Sequence, residues 1–209
     1  MSKSKYNYKV YNGKALKKML ENSRIYFLAV VFSIGIVIGA AAINSSSLIA
    51  EKTAILIDSY TLIRSGQGII ENFCNSFFVS CLFIAAGLFL GFSLLGYPFL
   101  LWLPFLRGVG LGTVCGYLYD AYKLTGLGYS ILTVYPGAIV STFAFILACN
   151  DSCEYSKNAY AKSIRGRGQF EKDETKVYLI RQLIFLGICA ASAIIDAFSS
   201  AAFSRFFEI

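Results

Sequence analysis

Histidine is absent from the chain, proline occurs only three times and tryptophan once. Lack of histidine removes Ser-His-Asp and Cys-His catalytic arrangements, the HExxH helix and mixed Cys/His metal sites together. Six cysteines are present, Cys74, Cys81, Cys115, Cys149, Cys153 and Cys189, but no two form a CxxC pair and all lie in or beside apolar stretches. They read as small buried hydrophobes, not as zinc ligands. No catalytic residue, metal site or cofactor site is therefore expected, and the chain is read as not an enzyme. Charge is also scarce. Asp, Glu, Lys and Arg make up 15% of the residues, against roughly 25% in a globular protein.

Apolar residues take the place of the missing charge. They are 56% of the chain and mean hydropathy is +0.61, so lipid is the expected solvent for most of the surface. Crossing a bilayer takes about 20 apolar residues at 1.5 Å per residue. Five such spans are predicted, at about residues 25–43, 73–95, 99–119, 129–149 and 179–203. The first could serve as a cleaved signal, with Ala40-Ala41-Ala42 for a peptidase, but its apolar core exceeds the usual h-region of about 7–15 residues and it reads as a retained span. The long apolar run after Phe73 must break, and Gly96-Tyr97-Pro98 is the place where glycine and proline disfavour continuation. The third span then starts between Phe99 and Phe105, unless Phe99 to Leu106 is a short interfacial or re-entrant piece. The expected architecture is an all-α polytopic helix bundle.

Orientation follows from lysine and arginine. Residues 1–24 form a basic leader with Lys3, Lys5, Lys9, Lys14, Lys17, Lys18 and Arg24, and the loop 150–178 with its approach to the fifth span adds Lys157, Lys162, Arg165, Arg167, Lys172, Lys176 and Arg181. Five spans put both groups on one side. The other side receives Lys52, Arg64, Lys123 and, in the tail 204–209, Arg205. The positive-inside rule makes the leader cytoplasmic. Because the net charge of +7 is concentrated beside spans, it points to anionic membrane lipids and not to nucleic acid.

Glycines recur four apart on the predicted spans: Gly35 and Gly39 in the first, Gly87 and Gly91 in the second, Gly108, Gly112 and Gly116 in the third. Four-residue spacing places them on one helix face, where a neighbouring backbone can approach closely. The spacing is compatible with a neighbour in the same chain and with one in another chain. The run Gly108 to Gly112 has no preceding strand and does not read as a phosphate loop.

Two ionisable residues inside spans, Arg107 and Asp196, become functional candidates because charge in lipid is costly. With a third span starting near Pro104, Arg107 lies about one turn inside the cytoplasmic face, where its stem can snorkel to water. Asp196 lies about 25 Å along the fifth helix, so the two are expected to be separated by most of the bilayer. Asp196 is either a satisfied structural acid or a contact for a partner or substrate.

The outer segment 44–72 has its own period. The doublets Leu48-Ile49, Ile55-Leu56, Leu62-Ile63 and Ile69-Ile70 repeat every seven residues, near two helical turns, and form one apolar stripe. Such a helix could lie on lipid headgroups, fold back on the bundle or dock a partner.

The order of several short motifs resembles a known family. Gly35-Ile36-Val37-Ile38-Gly39-Ala40 running into Ile43-Asn44-Ser45, Leu94-Leu95-Gly96-Tyr97-Pro98, Phe105-Leu106-Arg107-Gly108 with Gly110, Gly112 and Gly116, Pro136, and Asp196-Ala197-Phe198 are together similar to the stage II sporulation protein M family. The resemblance implies a mother-cell membrane protein of the sporulation septum. It would act in engulfment as a scaffold for two peptidoglycan-degrading partners, stage II sporulation proteins D and P. The alternative from the residues alone is a transporter or permease subunit moving a small solute, although no internal repeat supports it.

Overall fold

The computed structural model describes residues 23–43, 69–93, 96–165 and 172–203. Residues 1–22 of the leader, the doublets from Leu48-Ile49 to Leu62-Ile63 and the tail 204–209 lie outside the described residues. Helix α1 is Ser23–Ile43, α2 is Ile69–Phe92, α3 is Gly96–Tyr129, α4 is Tyr135–Arg165 and α5 is Lys172–Phe203. A π-helical turn, Ser130–Val134, joins α3 to α4. Pro136 follows that turn. Its ring crowds the carbonyl four residues back and it has no N–H to donate, so the chain takes a wider turn before it.

Four described helical stretches are long and apolar enough to cross a bilayer, and one of them, Gly96–Ala161, is 66 residues long. A straight helix of that length would extend about 100 Å, roughly three bilayer cores. It doubles back instead. Lys123 has φ 52° and ψ −128° inside it, and Arg107 reaches Ser141 at 2.8 Å, which a continuous helix would hold about 50 Å away. The bundle thus has five antiparallel legs, with the starts of α1, α3 and α5 and the ends of α2 and α4 on the leader side.

The distribution of side chains is that of a membrane protein. Phe78, Leu82, Phe89, Trp102, Leu106, Phe143 and Leu183 point outward, while Asn72, Ser80, Ser141, Ser152, Gln182 and Ser192 are buried. Helices in lipid gain nothing by hiding apolar surface from one another, so close backbone approach and polar contacts hold them. Both devices occur here. Gly35 on α1 packs on Gly108 and the backbone at Phe105 and Val109 of α3, Gly39 on the backbone at Val109 and Thr113, Gly112 meets the backbone of Ile36, and Gly116 meets Ala40. A methyl on Gly35 would lie 2.5 Å from the Phe105 carbonyl oxygen, and one on Gly108 would collide with the Phe32 carbonyl. Gly87 and Gly91 instead face side chains, Ser152 of α4 and, at Gly91, also Tyr178 of α5.

Element boundaries differ from the sequence expectation in three places. The third span starts at Gly96 and runs unbroken through Pro104, because Pro98 sits in the first turn, where its missing N–H costs nothing; Phe99 to Leu106 is therefore helix and not a separate interfacial piece. The last doublet, Ile69-Ile70, opens α2 and does not belong to an outer loop. The basic segment 150–178 is largely helical, since α4 continues to Arg165 and α5 begins at Lys172. Hydropathy falls over residues 150–165, but nothing in that stretch breaks a helix, so hydrogen bonding continues past the lipid. There Tyr155 stacks on Tyr178 at 4.3 Å, Phe92 meets both rings edge-on, Ser152 shares a hydrogen bond with Tyr178 at 2.9 Å, and Arg181 pairs with Asp151 at 2.9 Å.

Candidate functional site: a polar cleft within the bundle

Two ladders of polar residues, each spaced by four, meet between α2 and α5. On α2 they are Asn72, Ser76 and Ser80; on α5, Ser192, Asp196 and Ser200. Spacing by four keeps each set on one helix face, and antiparallel packing brings the faces together. Asn72 Nδ2 donates to Ser200 Oγ at 3.4 Å, and one turn further Ser76 donates to the Asp196 carboxylate. Ser192 Oγ donates to the Gly137 carbonyl on α4 at 2.6 Å. Asp196 is 7% exposed and its Cβ would lie 2.6 Å from a methyl on Gly137. Gly137 leaves the room that the acid fills.

Arg107 approaches the same part of α4 from α3. It is 8% exposed. Its Nη2 donates to Ser141 Oγ at 2.8 Å, and Ser141 in turn donates to the Ala138 carbonyl at 3.1 Å. The guanidinium lies 5.3 Å from the Phe83 ring centroid and 5.1 Å from that of Phe145, within the range of cation–π attraction. Its Nε is buried without a hydrogen-bond partner.

Arg107 and Asp196 are therefore not separated by most of the bilayer. One contacts Ser141 and the other Gly137, about one turn of α4 apart, or about 6 Å. The expectation rested on a third span starting near Pro104; α3 starts at Gly96, so Arg107 lies about 16 Å along it, and its guanidinium turns inward to Ser141. Both residues line one cavity of about 290 Å³ between α2, α3, α4 and α5, together with Ser76, Ser80, Ser141 and Ser192. The sequence reading did not single out the serines. The four-residue spacing of Ser192 from Asp196, and of Asn72, Ser76 and Ser80 from one another, was the available signal.

Of the other candidates, Gly35, Gly39, Gly108, Gly112 and Gly116 form the α1–α3 contact away from this cleft. Ile70 is exposed at the opposite end of α2 from the aromatic cluster.

An all-α, multi-pass membrane bundle held together by glycine contacts, with a polar cleft in its interior, is the class of protein that the fold defines. The family model for stage II sporulation protein M matches residues 28–201, and the chain belongs to that family. No curated protein and no solved structure matches it.

Proposed function

We propose that the chain is a non-catalytic membrane scaffold that gathers peptidoglycan-degrading partners, stage II sporulation proteins D and P, at the sporulation septum during engulfment. The family match over residues 28–201 carries this reading. The glycine-packed bundle supports it, since backbone contact along α1 and α3 provides a rigid platform in lipid. The seven-residue apolar stripe of the sequence between α1 and α2 is the docking element, with the leader on the cytoplasmic side and the stripe on the far side. Leu62→Asp in a sporulating host is expected to insert normally yet lose co-purification of the hydrolases; undiminished recovery of both would remove the stripe from the proposal.

A second reading, passage of a small solute, is favoured by one observation: the cavity that holds Arg107 and Asp196 at mid-bundle. Liposomes containing the purified chain test it. Flux that disappears in Asp196→Asn supports transport, and vesicles inert to every solute tried remove it.

A further inference from the structure

The seam between α1 and α4 carries two features that neither functional reading uses. One is an apolar groove of about 280 Å³, near the lower end of pockets that hold organic molecules, roughly 300–1,000 Å³. Its sides are Phe32, Ser33 and Ile36 of α1 and Ile139, Phe143 and Ile146 of α4. Ser33, Ile139 and Phe143 are exposed, so the groove opens outward to lipid. The other feature is a pair of cations at the leader end of the same seam. Arg24 of α1 approaches Glu154 of α4 at 3.9 Å, wider than a hydrogen bond, so that contact does not consume the donors of the guanidinium. Lys157, three residues past Glu154 and on the same face, is exposed and holds its ammonium 4.4 Å from the Tyr97 ring centroid at the start of α3. No carboxylate pairs with Lys157 among the described residues.

Register joins the two features. Glu154 and Lys157 follow Phe143 and Ile146 by eleven residues, about three helical turns, so the groove face of α4 leads up to them. Side chains on a helix lean toward its N-terminus, which turns Lys157 back toward the membrane. On α1, Ala29 to Ile36 border the groove and lie about 8–18 Å along the helix from Arg24. That is the depth range of an acyl chain in a leaflet with about 15 Å of hydrocarbon. We propose that the seam binds one anionic glycerophospholipid of the leader-side leaflet, with its phosphate between Arg24 and Lys157 and one acyl chain in the groove. Arg24, Lys157 and Glu154 together leave one positive charge, which a single phosphodiester neutralises. The guanidinium supplies paired donors for its oxygens and the ammonium a point charge. A headgroup with its own ammonium sets a further cation beside these two, whereas a polyol headgroup does not, and the groove favours a lipid over a soluble phosphate.

The test uses the full chain purified in detergent and titrated with dioleoyl phosphatidylglycerol, with bound lipid counted by native mass spectrometry. Dioleoyl phosphatidylcholine, which has the same chains, and glycerophosphoglycerol, the headgroup without chains, are titrated in parallel. The expected result is one retained phosphatidylglycerol, with both comparison molecules weaker by at least about ten-fold. Removing the cations in Arg24→Gln/Lys157→Gln should weaken it by at least about ten-fold, and so should filling the groove in Ser33→Phe, whereas Ile184→Phe, exposed on α5, should bind as the parent does. Phosphatidylcholine or the free headgroup binding as tightly as phosphatidylglycerol overturns the proposal, as does undiminished binding in either seam variant or an equal loss in Ile184→Phe. If a variant does not fold, the comparison of the three molecules on the unmodified chain decides. Failure here leaves the scaffold reading and the flux assay standing, because neither depends on this lipid.

Discussion

Arg107 on α3 and Ser141 on α4, 34 residues apart in the chain, are joined by a hydrogen bond of 2.8 Å inside the bundle. The bond fixes where α3 folds back along α4, and Phe83 brings α2 to the same guanidinium. Ser141→Ala removes the acceptor and leaves a second donor of a buried cation unmet. It is expected to destabilise the bundle by about 1–3 kcal/mol. Arg107→Met removes the charge with its demand for partners and fills similar space, so it is expected to be neutral or stabilising, by up to about 1–4 kcal/mol. Denaturant titrations of both variants in one detergent check the contrast, and a destabilised Arg107→Met protein would contradict it.

Gly110 and Gly112 on α3 offer an internally controlled comparison. A methyl on Gly110 meets nothing within 4 Å, whereas one on Gly112 runs into the backbone of Ile36 on α1, including its Cα at 2.9 Å. Gly112→Ala should cost about 1–3 kcal/mol through forced separation of the helices. Gly110→Ala should be neutral or slightly stabilising, by up to about 1 kcal/mol from the better helix propensity of alanine. Thermal unfolding of the pair reads the difference, and equal melting temperatures would mean that α1 and α3 are not in backbone contact.

Lys123 holds φ at 52° where the chain reverses, a region that side chains other than glycine enter at a cost of about 1–3 kcal/mol. Its contact with Asp120, 3.3 Å and exposed, offsets little of this. Lys123→Gly is expected to raise stability by about 1 kcal/mol, and Lys123→Val, with its branched Cβ, to lower it. The order glycine, lysine, valine in melting temperature is the outcome to look for.

Ser76 and Asp196 are coupled across the α2–α5 ladder. Interhelical hydrogen bonds in bilayers average about 0.6 kcal/mol and reach about 1.7 kcal/mol. A double-mutant cycle of Ser76→Ala and Asp196→Ala, each of which removes the bond, should return a coupling within that range. A coupling indistinguishable from zero would show that the two ladders do not face each other.

What could be read from the residues divides along physical lines. The glycine repeats were visible because four-residue spacing has one meaning on a helix: a shared face free of side chains. Asn72, Ser76 and Ser80 have the same spacing, but hydropathy averages them away among phenylalanines. The limits of α4 and α5 were misjudged because hydropathy reports depth in lipid, whereas a helix stops only when its hydrogen bonding is interrupted, and nothing between Asn150 and Arg165 interrupts it.

The sequence by itself determined the all-α class, the lipid solvent and the repeated reversal of the chain, because each depends on the transfer energy of residues taken in short local windows. Only the tertiary structure decided that Arg107 meets Ser141, that Asp196 rests on Gly137, and that both line one cavity. Those contacts depend on how each helix is rotated about its axis and on which helices are neighbours. Rotation and neighbour order are settled by packing between segments distant in the chain, and no local run of residues encodes them.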